Sequence, residues 1–111
     1  MNLNFDTMPE TVLEHFNGGE GAFVVRKFDD GMNRIMRGVL APGSSIGVHT
    51  HTDSSEILYV LSGEGTVCED CCSAGAPVSV GTLHYCPKGH SHTLINTGSM
   101  DLVVLVVVPK Q

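Results

Sequence analysis

The sequence predicts an all-β domain built as an antiparallel sandwich or barrel. After residue 18, short apolar runs rich in Val, Ile, Leu and Thr recur at regular intervals, with no helix-length periodicity among them. Turn residues separate the runs, and the 13 glycines of the 111-residue chain are spread between them instead of gathered in a linker, well above an average of about 7%. The length suits one domain with a modest core, divided into an N-terminal arm, residues 1–20, and a single barrel, residues 21–111.

The arm contains TMPETVLEHFN, residues 7–17. Thr7 as N-cap, Glu10 three residues on, a proline in the first turn and Asn17 with Gly18 as a stop predict a short helix or helical turn. Val12, Leu13 and Phe16 are then its buried edge, although Thr and Val there suit an edge strand equally well. AFVVRKF, residues 22–28, and MNRIMRGVL, residues 32–40, flank a DDG turn and form the clearest hairpin in the chain. Strands follow at about 46–51, 56–61, 64–68, 77–79, 82–86, 91–96 and 102–108. The last is a run of seven apolar residues, too short for a bilayer, which needs about 20, and it reads as a strand buried on both faces.

A net charge of −6 with six Lys plus Arg and no basic run argues against nucleic acid as a partner. MNLNFDTMPETV has neither the charged nor the apolar region of a secretory signal, so a soluble, cytoplasmic protein with no membrane partner is expected. The four cysteines are then expected to be reduced. Cys68, Cys71 and Cys72 cluster in CEDCC, and a zinc site with His84 and Cys86 is conceivable, but no second CxxC exists and a thiol-rich turn is the simpler reading.

The chemistry concentrates in GSSIGVHTHTDSSEILYVLSG, residues 43–63. His49 and His51 are two apart, so a strand projects both imidazoles from one face. Glu56 follows five residues later, close enough for a turn to return its carboxylate to that face. Two nitrogens and an oxygen suggest a metal site, and GTLHYCPKGHSHTLIN, residues 81–96, offers His92 as a further ligand.

The spacing of Gly43, His49, His51, Glu56 and Gly63 resembles the first cupin motif, and that of Gly81, Pro87, Gly89, His92 and Asn96 resembles the second, with 17 residues between them. The two motifs and their connection cover about half of the chain, residues 43–96. The resemblance implies a small cupin β-barrel or jelly roll, with His49, His51, Glu56 and His92 as the four ligands of one divalent transition metal: Fe, Mn, Ni, Co, Cu or Zn. Such a set leaves about two coordination positions open in octahedral geometry. It further implies a metal-dependent enzyme acting on a small molecule by oxygenase, decarboxylase, isomerase or lyase chemistry, with a non-catalytic module that binds a small ligand or metal as the alternative. Small cupins often pair, so a homodimer is expected. Asn96 braces nearby backbone, and Pro87 with Gly89 makes the turn that aims His92 inward.

Other polar residues are candidates for the pocket. His90 is two residues before His92, so a regular strand turns both the same way, which makes His90 a candidate catalytic acid or base, or else a rim residue. His84 and Tyr85 face opposite sides of their strand, and His15 lies apart from the site. Arg34 and Arg37 are three apart, so one of them at most faces inward, where a guanidinium would select a carboxylate. Arg37, Leu58 and Leu94 are taken as substrate-pocket residues of an otherwise apolar interior that also includes Ile46 and Val60. The absence of Trp and the presence of two Tyr leave little stacking surface for nucleobases or large sugars.

Overall fold

The computed structural model describes residues 1–70 and 74–111. Ten strands follow in chain order: β1 (Thr11–Glu14), β2 (Ala22–Asp29), β3 (Asn33–Leu40), β4 (Ser45–Thr50), β5 (Glu56–Ser62), β6 (Glu64–Glu69), β7 (Ala76–Ser79), β8 (Leu83–Cys86), β9 (Ser91–Ile95) and β10 (Leu102–Pro109). They form a six-stranded sheet, order β1-β2-β3-β10-β5-β8, and a four-stranded sheet, order β4-β9-β6-β7. All pairings are antiparallel, as expected for a jelly-roll barrel. Strands expected from turn spacing and alternation agree with these to within a residue or two, because each apolar run is bounded by turn residues.

Alternation places the core. Even-numbered residues of β3, β5 and β10 face inward, and Met36, Leu40, Leu58, Val60, Val104 and Val106 close against Phe23 and Val25 of β2. The four-stranded sheet contributes Ile46, Val67, Val78 and Leu94 from the opposite side. In β10 the expectation of burial on both faces is only half met: Leu102, Val104, Val106 and Val108 are buried, whereas Val103, Leu105 and Val107 are intermediate. Their partial cover comes from lying mid-sheet between β3 and β5.

In the arm, the edge strand forms in place of one helix over residues 7–17, flanked by two short helical turns. Phe5–Thr7 is a single 3-10 turn whose N-cap is Asn4, not Thr7, and Phe16–Gly18 is another. Between them β1 pairs with β2 through Val12 opposite Val24 and Leu13 opposite Phe23. Pairing with a ready hairpin edge offers β-branched Thr11 and Val12 more than a helix too short to be stable alone, and the left-handed backbone of His15 (φ 48°) and Asn17 (φ 54°) ends any helical run. Leu13 and Phe16 pack on the core, with the Phe16 ring stacked 6.0 Å from that of Phe23, while Val12 faces solvent. The arm is strapped to the outer sheet face: Arg26 donates to the Met8 carbonyl (2.8 Å) and Arg37 to the Asp6 carboxylate (2.8 Å).

Candidate metal centre

The site lies between the sheets, where β4 and β9 bring their histidines side by side. In β4 the buried Ile46 and the inward His49 differ by three residues, which strict alternation forbids. The β4–β9 register shifts between Ile46 and His49, a bulge that turns Val48 out to 58% exposure and His49 in. Beyond it His49 sits opposite His92. Glycine at 47 is required there, because a Cβ would strike the Asn17 carbonyl of the arm.

On the second stretch, Gly89 adopts φ 87° and donates its N–H to the His51 carbonyl (2.6 Å), while the His51 N–H donates to the His90 carbonyl (3.0 Å). This turn ties the two histidine-bearing segments together. Asn96, 1% exposed, braces the far end of β9, donating from Nδ2 to the carbonyls of Leu40 and Met100 (2.8 Å each) and accepting from the Gly98 N–H (2.9 Å).

Donor atoms of His49, His51, Glu56 and His92 all lie within 4.8 Å of one another. His92 Nε2 is 3.0 Å from His49 Nε2 and 3.1 Å from His51 Nε2. The Glu56 carboxylate reaches all three rings, at 3.3 Å from His51, 3.4 Å from His92 and 3.9 Å from His49. An octahedral ion with bonds of about 2.1 Å sets neighbouring donors about 3.0 Å apart, a tetrahedral one about 3.4 Å. The nitrogen spacing therefore fits a six-coordinate divalent ion.

The tautomers fit too. His49 Nδ1 lies 2.8 Å from the Gly47 carbonyl, which can only accept, so the neutral ring keeps its Nε2 lone pair for the cluster. His51 Nδ1 has Ser54 Oγ at 3.1 Å. Burial works to raise the Glu56 pKa, but the three imidazoles of His49, His51 and His92 around it outweigh that and hold the carboxyl far below its ordinary range. Burial likewise works to lower His49, yet Glu56 and the Gly47 carbonyl leave it above the ordinary imidazole value. The cluster is therefore a preformed set of three nitrogens around an ionised carboxylate.

A cavity of about 310 Å³ opens onto this cluster, lined by Phe16, Arg34, Met36, Thr50, Asp53, Ser54 and Val108 among others. Arg34 is the inward arginine, since it shares strand parity with the buried Met36. Arg37 is not a pocket residue: it lies on the outer face, paired with Asp6 and 5.5 Å over the Phe5 ring. Among the described residues, Arg34 Nε is the buried side-chain nitrogen or oxygen without a hydrogen-bond partner. Leu58 and Leu94 belong to the packed core and do not line the cavity.

His90 is not brought to the cluster. It sits in the turn before β9, where strand parity does not apply, half-exposed with Nδ1 3.0 Å from Asp70 Oδ2. Of the His84 and Tyr85 pair, His84 is the buried member, 8% exposed, with Nε2 3.0 Å from His92 Nδ1. Sequence reasoning left its direction open. The signal lay in the register, because His84 pairs with Leu58, whose inward parity was legible. His15 is remote, its Nδ1 on the Gly19 carbonyl. Cys68 and Cys86 are free thiols, and the Cys71 and Cys72 part of the CEDCC cluster lies outside the described residues.

Known proteins share this fold. Residues 36–108 match the family model described as Cupin domain. A Thermotoga maritima protein named oxalate-binding protein is 39% identical over 69 residues, 62% of this chain, so that the match spans about half (55%) of that relative's length. A solved Thermotoga maritima structure described as a predicted oxalate decarboxylase superposes with a TM-score of 0.91 over 100% of both chains at 28% identity. A polyketide cyclase from Streptomyces resistomycificus superposes with a TM-score of 0.79 over 98% of this chain and 78% of its own at 22% identity, a likeness of fold alone. With both histidine-bearing stretches inside the matched span and the paired antiparallel sheets around them, the chain belongs to the cupin family.

Proposed function

We propose that the protein holds one divalent transition metal on His49, His51, Glu56 and His92 and binds a small carboxylate of the oxalate class between that site and Arg34. The observation that carries this reading is Arg34, whose buried Nε lacks a partner while its side chain lines the cavity beside the cluster. A buried donor left unpaired costs about 1–3 kcal/mol, which an incoming carboxylate would relieve through a charge-assisted hydrogen bond. The cavity of about 310 Å³ suits an acid of a few carbons, and the Thermotoga maritima matches, a curated protein named for oxalate binding and a solved structure described as a predicted oxalate decarboxylase, support oxalate as the type ligand.

In this reading the bound metal supplies Lewis acidity toward the carboxylate oxygens. The chain's own residues do the rest. Arg34 orients the anion, and the apolar flanks of Phe16, Met36 and Val108 exclude water from it. His49 keeps its proton on Nδ1, held by the Gly47 carbonyl. Turnover by decarboxylase-class chemistry is the first reading. Retention of the ligand without turnover is the second, favoured by the relative named for binding alone.

The test is metal analysis of the purified protein, then calorimetry of the metal-loaded form with oxalate, malonate and acetate, with product assays in the presence and absence of O₂. About one ion per chain and saturable oxalate binding are expected. Arg34→Gln should weaken the dianion about 10- to 100-fold while metal content stays unchanged. A protein that takes up no metal, or an Arg34→Gln variant that binds oxalate as the wild type does, would overturn the reading. Saturable binding with no product in either atmosphere would select the second reading.

We further propose a homodimer formed through the outer face of the six-stranded sheet. Ile57, Tyr59 and Leu61 of β5 and Leu83 and Tyr85 of β8 are exposed there, and Ile57 pairs with Tyr85 and Tyr59 with Leu83 across the strands. A contiguous exposed apolar surface of this kind favours association.

A further inference from the structure

We propose that His84, oriented in turn by Glu69, is a positioning residue for the ligand His92; the inference rests on the metal reading above and deepens it. His92 comes from β9 of the four-stranded sheet and His84 from β8 of the six-stranded one, so their contact crosses the barrel interior. His84 Nε2 lies 3.0 Å from His92 Nδ1, the two rings are inclined at 25°, and both residues are buried, at 8% and 3% exposure.

The proton assignment follows from the geometry. With Nε2 of His92 turned to the cluster as a lone-pair donor, its neutral ring carries the proton on Nδ1. That N–H must donate, and His84 Nε2 is the atom in line to accept it. His84 then holds its own proton on Nδ1, which faces Glu69 Oε1 at 3.5 Å. Each step selects the tautomer of the next. The Glu69 link is the looser of the two, because the distance is long and Glu69 is 63% exposed.

The other two imidazoles reach their far-side partners within their own segment, the Gly47 carbonyl for His49 and Ser54 Oγ for His51. His92 alone of the three depends on a side chain from the other sheet. Ligating histidines ordinarily need such a partner to fix ring orientation and basicity, and its loss typically weakens metal binding about 10- to 100-fold.

The test uses the full chain and Co(II) as probe, with affinity read by chelator competition and ligand geometry by visible absorption. His84→Phe removes the acceptor while filling the space, whereas His84→Gln keeps an acceptor oxygen. His84→Phe should bind Co(II) about 10- to 100-fold more weakly with an altered absorption band, and His84→Gln should recover to within about 3-fold of the wild type. Glu69→Gln should lie between the wild type and His84→Phe. In zinc-loaded wild-type protein, nitrogen NMR should find His92 protonated at Nδ1 and His84 bare at Nε2, a readout that needs no variant to fold. Equal Co(II) affinity in His84→Phe and wild type, equal weakening in the Phe and Gln variants, or a His84 proton on Nε2 would each overturn the inference. Wild-type protein that binds neither ion would instead overturn the metal reading, and this inference with it.

Discussion

At the scale of single residues, position relative to the barrel wall decides chemistry more than residue type does. Arg34 and Arg37 differ by three places on one strand, yet one reaches into the cavity and the other clamps Asp6 outside. His84 and His90 are both histidines of the second stretch, and only the one on a regular strand is buried. Cys86 is a further case, 2% exposed and directly opposite Glu56 in the sheet. Burial, with added repulsion from Glu56, Asp70 and Glu69, pushes its thiol up to about 11. At pH 8 only about one thiol in a thousand is then ionised, and the thiolate is the reactive form. Iodoacetamide should therefore label Cys86 at least about 100-fold more slowly in the native protein than in urea, as mapped by peptide mass spectrometry. Comparable rates in the two states would show that the thiol is neither buried nor raised.

Among the elements, the alternating strands were legible because apolar residues two apart and turn residues between runs are local signals. The arm was legible as an open choice between helix and edge strand, and the bulge was not legible. Residues 7–17 carry helix-start signals that lost to the edge of β2, a partner that exists only in the folded chain. The inward turn of His49 required the register shift in β4, which follows from pairing with β9 and from the arm packing against Gly47. The strap between arm and sheet yields a pH prediction. Asp6 is held below its ordinary value of 3.8, first by its hydrogen bond to Arg37 and then by that residue's charge. A depressed carboxyl contributes stability that is present above 3.8 and lost as pH falls below it toward the lowered folded value. Protection factors of amides in the first ten residues, that is, exchange corrected for its intrinsic pH dependence, should fall by a factor of about two to five through that window, in keeping with an exposed ion pair of small worth. Asp6→Asn should show the faster exchange already at pH 7. An Asp6→Asn protein with wild-type protection at both pH values would sink the idea.

For the whole molecule, the pair of sheets leaves the β5–β8 part of one outer face apolar and one interior end polar. Replacing Tyr59 and Leu83 together by Glu places charges at neighbouring cross-strand positions of the proposed dimer face. Light scattering after size exclusion should give twice the chain mass for the wild type and the single chain mass for the double variant, with unchanged circular dichroism. A wild type that elutes as a monomer at micromolar concentration would refute the dimer. By itself the sequence determined the all-β class, most strand positions and the identity of His49, His51, Glu56 and His92 as a set, because alternation and motif spacing are written along the chain. Tertiary structure alone decided that Arg34 rather than Arg37 enters the cavity, that His84 stands behind His92 and that His90 does not reach the cluster. Those outcomes depend on register, on one bulge and on which sheet a strand joins, and each is set by pairing between residues far apart in the chain.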